Sequence, residues 1–194
     1  MVIVPIFPLE GHSSNQITAI WSARYDDAGS DEFALVFNNW NDVEYLESFF
    51  EKNKRDLIFF RRSPITVEQA VRKTLIEAKR LETSLREIAL TGYTDSSKAL
   101  QTIFFPLHNH DLRVSELQKT KAKPHPYKGP SWLRLYAIRL GANTFVVTGG
   151  AIKLTQKMQE RSHTLLELKK MDLVKKYLVE QGISAEADFG SITL

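Results

Sequence analysis

Residues 132–163 read WLRLYAIRLGANTFVVTGGAIKLTQKMQERSH, and the fold follows from how they are read. Leu133, Tyr136 and Ile138 alternate imperfectly with Arg134, Ala137 and Arg139, as in a strand with one face on a core. Gly141-Ala142-Asn143 supplies a turn, because Gly and Asn tolerate positive φ. Residues 145–152 then form the partner strand, with Gly149-Gly150 marking a bulge or a close approach. The unit is a β-hairpin, and it is basic. Residues 113–163 hold ten bases and two acids, a net charge of +8; the rest holds sixteen bases and twenty-one acids, a net of −5. A basic face on an otherwise acidic chain suits a polyanion, most commonly nucleic acid.

Outward from the hairpin, the pattern alternates strand and helix. Residues 2–7 and 17–25 predict two strands, the second a β-branched and aromatic run, ITAIWSARY. DDAGSD, residues 26–31, predicts a turn. In residues 33–53, FALVF precedes an acidic stretch in which Val43, Leu46, Phe49 and Phe50 recur at helical spacing, capped by Asn41 or Asp42. Residues 55–63 read as a basic, aromatic connector. The clearest helix follows. Thr66 and Gln69 form a capping box, and Val67, Ala70, Val71, Thr74, Leu75, Ala78, Leu81, Leu85 and Ile88 form its apolar stripe.

Residues 99–107 are apolar and predict a segment packed on the core. Residues 112–118 alternate as a strand, and KTKAKPHPYKGP, residues 119–130, predicts an irregular basic loop. Thr164 and Glu167 predict a second capping box on a last helix ended by Gly182, and residues 191–194 read as a loose tail or a short final strand. Together these elements predict an α+β fold, with helices packed on a curved antiparallel sheet and an extra N-terminal β segment.

The 194 residues suit one domain with an appendage, and the 43% hydrophobic content can build a core. No cysteine is present, so there are no disulfides and no thiolate metal sites, which fits a cytoplasmic location. The apolar N-terminus is interrupted by prolines and has no basic region before it, which predicts neither a membrane span nor a signal peptide. No Walker loop or G-x-S-x-G elbow occurs. His108 and His110 in LHNHD lack further spaced ligands and read as a polar turn; no metal and no cofactor are expected.

The order helix, helix, antiparallel sheet, basic hairpin, helix resembles the RelE/HigB superfamily of small bacterial toxins. WLRLYAI is similar to that family's central strand, an arginine followed by an apolar-aromatic run. FVVTGGAIKLTQKM is similar to the next strand of the HigB-like branch, and TLLELKKMDLVKKYL to the capped helix after it. The resemblance runs through residues 113–182 and reaches residues 42–90 in topology alone. It implies a RelE-like domain over residues 33–183, a strand extension over 1–32 and a tail over 184–194. It also implies a ribosome-dependent mRNA endoribonuclease of a toxin–antitoxin system, neutralised by a cognate antitoxin protein. The departures are two. Ile152-Lys153-Leu154 carries one cation where the family has a lysine pair, and the tail ADFGSITL has no Tyr or His. They keep an alternative open, a non-catalytic RNA- or protein-binding protein on the same fold. Residues 1–25 as a sheet edge would serve a homodimer or an added partner strand.

Metal-independent RNA cleavage needs a base for the 2′-hydroxyl, cations for the phosphorane and an acid for the 5′-oxygen. Arg134 and Lys153, on neighbouring strands, are the candidate phosphate ligands; arginine brings a bidentate fork and lysine a point charge. Tyr136 shares the Arg134 face by parity and is a candidate for base stacking or proton transfer. His163 is the candidate catalytic imidazole, with His125 a second candidate. Lys121 and Lys123, at i, i+2, are placed to clamp flanking phosphates, and Lys128, Arg139, Lys157 and Arg161 complete the expected RNA-binding set. Lys169, Lys170, Lys175 and Lys176 read as the solvated face of the last helix.

Overall fold

The computed structural model describes residues 1–7, 19–25, 29–61, 65–92, 94–108 and 115–189. Six strands form one open sheet in the order β1-β2-β6-β5-β4-β3: β1 Val2–Ile6, β2 Ile20–Arg24, β3 Phe104–Pro106, β4 Gln118–Ala122, β5 Leu133–Arg139 and β6 Phe145–Ile152. The predicted α+β class is what the chain adopts. The sheet is mixed: β2 runs parallel to β6, and the other pairings are antiparallel. The two N-terminal strands therefore belong to the same sheet as the hairpin.

Alternation along β5 sorts the layers. Leu133, Leu135 and Ala137 face a core built from four helices, α1 Glu32–Asn41, α2 Val43–Lys52, α3 Lys54–Arg61 and α4 Val67–Thr91. Tyr136 and Ile138 face the other way, onto Met171, Val174 and Leu178 of α5 Ser162–Glu180. A short α6, Glu186–Phe189, follows. Residues on both faces of β5 are buried, so the strand reads as nearly continuous apolar sequence rather than clean alternation.

Local chemistry sets the helix starts. Asp31 Oδ1 accepts from the Phe33 and Ala34 amides, and Asp42 Oδ1 accepts from Tyr45 N. The Thr66/Gln69 capping box opens α4 as predicted. The second predicted box does not form. The α5 helix starts at Ser162, Thr164 Oγ1 donates to the Met158 and Arg161 carbonyls, and Glu167 turns inward.

Other segments depart from their sequence patterns. FALVF opens α1, and residues 54–61 are helix α3 rather than a connector, anchored by fully buried Leu57. The basic stretch from residue 119 begins as strand β4. Gln118, Thr120 and Ala122 turn into the core, while Lys119 and Lys121 point to the α5 side. Of the strand predicted over 112–118, residues 115–117 are not strand, Gln118 belongs to β4, and 112–114 lie outside the described residues. The segment predicted over 191–194 also lies outside them.

The hairpin turn holds by a route other than positive φ, which neither Gly141 nor Asn143 adopts. Asn143 is buried. Its Oδ1 accepts from Leu100 N at 2.9 Å and its Nδ2 donates to Ala89 O at 3.3 Å, so it ties the hairpin to α4. In the middle of β6, the register shifts between Tyr136 and Ala137, which leaves Thr148 as the extra residue of a bulge beside Gly149.

Candidate anion-binding site

The bulge and strand parity place the basic residues. On the α5 side of the sheet, Lys121, Tyr136 and Gly149 lie abreast on β4, β5 and β6, and Arg134 pairs with Ala151 in the next row. A cavity of about 310 Å³ opens there, lined by Lys121, Lys123, Arg134, Lys153 and Lys157, with Tyr136 and His108. Leu107, Met158, Leu168 and the amides of Gln156 and Gln159 complete the lining. Five cations thus meet in one cavity with no carboxylate among its described lining residues.

The cations are fixed by the backbone. Arg134 Nη1 donates to the carbonyls of Ser131 (2.9 Å) and Leu133 (2.6 Å). Lys153 Nζ donates to Thr155 O at 2.6 Å and to Gln156 O. Lys121 Nζ donates to Leu107 O at 2.5 Å. Crowding of like charge shows in their protonation. Burial first, then the charges of Lys123, Arg134 and Lys153, push the Lys121 ammonium down to about 8. Lys123 and Lys153 are lowered by burial and by Arg134, and Glu160 partly offsets the effect at Lys153. Burial also lowers Arg134. An anion entering the cavity relieves this repulsion, and the cavity is chemically suited to a phosphate.

The basic segment before β5 is held in place from α4. Lys73 and Glu77 form a buried ion pair; Lys73 donates to the carbonyls of Tyr127 and Gly129, and Glu77 Oε1 accepts from Tyr127 N at 2.7 Å. Lys73 also lies over the Trp132 ring, 5.2 Å from its centroid.

Of the sequence candidates, the cavity gathers Arg134, Lys153, Tyr136, Lys121, Lys123 and Lys157. Five others lie elsewhere. His163 donates through Nε2 to Ile152 O at 3.0 Å and meets Phe49 edge-on, so it packs on the helical core and not in the cavity. Arg161 makes a bidentate pair with Asp56, both contacts 2.6 Å, which raises its pKa. Arg139, at the far end of β5, reaches Gln101. Lys128 lies over the Tyr127 ring. His125 is exposed and is not among the lining residues.

Three residues escaped the sequence reading. His108, assigned there to a turn, gives the cavity rim its imidazole; His110 lies outside the described residues. Glu167 and Lys170, assigned to a cap and a solvated face, are drawn inward: Lys170 Nζ bridges Glu32 (2.7 Å) and Glu167 (3.2 Å). Burial, with a further push from Glu32 and an opposing pull from Lys170, raises the Glu167 carboxyl to about 7. The run Glu167-x-x-Lys170 on a helix is the one signal in sequence, and it fits a surface pair equally well.

No group of three His, Cys, Asp or Glu among the described residues could hold a metal ion, and none of their helices is long and apolar enough to cross a membrane. Comparison with protein-family models, with curated proteins and with solved structures gives no match.

Proposed function

We propose that this chain is a metal-independent endoribonuclease of the RelE/HigB kind, cutting messenger RNA bound on the ribosome. The observation that carries the proposal is the cavity in which Lys121, Lys123, Arg134, Lys153 and Lys157 converge with no carboxylate among the described lining residues. Such a lining repels a metal ion and attracts a phosphodiester. Arg134 and Lys153, already aligned by the backbone, hold the scissile phosphate and the charge that develops on it. The 2′-oxygen attacks phosphorus and the bond to the 5′-oxygen breaks, leaving a 2′,3′-cyclic phosphate and a 5′-hydroxyl. The fraction of Lys121 that stays neutral beside the bound phosphodiester takes the 2′-proton; in the free protein its ammonium is pushed down to about 8. His108 at the rim gives a proton to the 5′-oxygen. A cognate antitoxin would neutralise the protein by laying acidic residues over the same cavity.

A second reading keeps the anion site without the chemistry: a phosphodiester-binding protein. It is favoured by His163, which is turned away from the cavity and leaves His108 as the imidazole there. Tightly induced expression of the wild type and of Arg134→Ala/Lys153→Ala separates the two. Growth arrest with new message ends in the wild type alone supports the nuclease. Normal growth and intact message with folded wild type supports the binder.

A further inference from the structure

The cationic cavity has a buried acidic neighbour that its lining does not reveal. Tyr136 is 1% exposed, and its hydroxyl has no hydrogen-bond partner among the described residues. Glu167 is 4% exposed, and its Oε2 is likewise without one. Buried polar groups of this kind are uncommon and call for a cause. The sheet register brings the two together. Tyr136 is paired with Gly149 across β5 and β6, and a side chain at 149 would stand beside the tyrosine. Glycine leaves that slot open, and the Glu167 carboxylate fills it: a Cβ added at Gly149 would collide with Glu167 Oε2. Arg134 and Glu167 each act electrostatically on the Tyr136 phenol, in opposite directions.

We infer that Glu167 is a positioning residue of the anion site, seated in the slot opposite Tyr136, where its charge opposes that of Arg134 on the Tyr136 phenol lining the cavity. The inference rests on reading the cavity as the phosphodiester site. Glu167 faces charged or titratable groups from several elements: Lys170 on its own helix, Glu32 at the start of α1, Tyr25 after β2, Tyr45 on α2 and Tyr136 on β5. Burial raises both Tyr25 and Tyr45, and Glu167 adds to each, so their phenols stay protonated as the carboxyl ionises. Glu32 pushes the Glu167 carboxyl up and Lys170 pulls it down, with the balance near 7. Below that pH the carboxyl is neutral and Arg134 acts on the cavity undiminished. Above it, a carboxylate beside Tyr136 subtracts from the cavity's positive charge, so anion affinity falls.

The test is tyrosine labelled with 13C at Cζ in the full-length chain, with the Tyr136 resonance assigned through Tyr136→Phe and followed across about pH 6 to 8. The expected result is a Tyr136 shift with a midpoint near 7 that Glu167→Gln abolishes. Lys170→Met, which removes the opposing cation and keeps Glu167, should move that midpoint upward. A Tyr136 resonance that stays still over this range, or titrates unchanged in Glu167→Gln, overturns the inference.

Binding of a 2′-O-methyl trinucleotide, whose phosphodiesters keep constant charge and cannot be cleaved, is measured over the same range. The wild type should lose affinity several-fold more than Glu167→Gln, because any contribution from His108 is common to both. Equal losses count against the inference. Parallel incubation with 2′-hydroxyl RNA separates the two claims. Uncleaved RNA with a titrating Tyr136 removes the nuclease and keeps the role of Glu167. Cleaved RNA with a silent Tyr136 does the reverse.

Discussion

At the scale of single residues, Lys121 couples anion binding to protons. Its ammonium lies near 8 because burial and the neighbouring cations disfavour its charge. A bound phosphodiester restores that charge and raises the pKa, so the complex holds a proton that the free protein has lost above pH 8. Binding just above that pH should therefore take up protons, and affinity should fall as pH rises through it. Titration calorimetry in buffers of differing ionisation enthalpy reads the uptake, and Lys121→Met should remove it. The same depressed pKa has a sign for folding. The unfolded chain binds more protons between about 8 and the usual lysine value, so this residue makes stability rise with pH across that window. Gly149 is the second residue with a sharp consequence. Gly149→Ala puts a methyl group onto the Glu167 carboxylate and should cost about 1–3 kcal/mol by denaturant unfolding, as overpacking does elsewhere. Strand parity made the face shared by Arg134 and Tyr136 readable in the sequence. Glu167 was not, since capping boxes and buried acids share the same letters, and only the three-dimensional position of Gly149 tells them apart.

Among the elements, α4 is legible because its apolar stripe and its capping box agree, and Thr66→Ala should cost about 1 kcal/mol of stability. Strand β4 is hidden, because its outward lysines make half of the pattern look like a loop while Thr120 and Ala122 supply the buried half. Helix α3 is hidden for the opposite reason: Ile58 and Phe59 are exposed, so its hydrophobic residues do not mark the buried face. The segment between β4 and β5 takes its position from the Lys73–Glu77 pair rather than from its own sequence. Lys73→Met leaves Glu77 buried without its cation and should cost about 3–5 kcal/mol. Chemical denaturation of Lys73→Met beside Lys73→Met/Glu77→Leu checks this. The double variant should be the more stable of the two, and the reverse order would count against a buried pair whose main effect is mutual neutralisation.

Across the whole molecule, the charge asymmetry and the sheet serve one end. Five of the ten bases in residues 113–163, from β4, β5 and the segments that follow β4 and β6, meet on one side of the sheet. The α+β class was readable from element types. The sheet order was not, because the parallel pairing of β2 with β6 joins residues more than a hundred positions apart. RNA affinity at such a site is dominated by phosphate contacts, and with about three phosphates neutralised log K should fall with log salt at a slope of roughly −2 for single strands. Arg134→Ala/Lys153→Ala should flatten that slope by about 1. The most direct measurement is the chemistry of the RNA ends made from ribosome-bound message by purified protein in the presence of a chelator. The wild type should give 2′,3′-cyclic phosphate and 5′-hydroxyl ends, and the Arg134→Ala/Lys153→Ala variant none. Intact message with folded wild type, or 5′-phosphate ends that require a divalent metal, would contradict it.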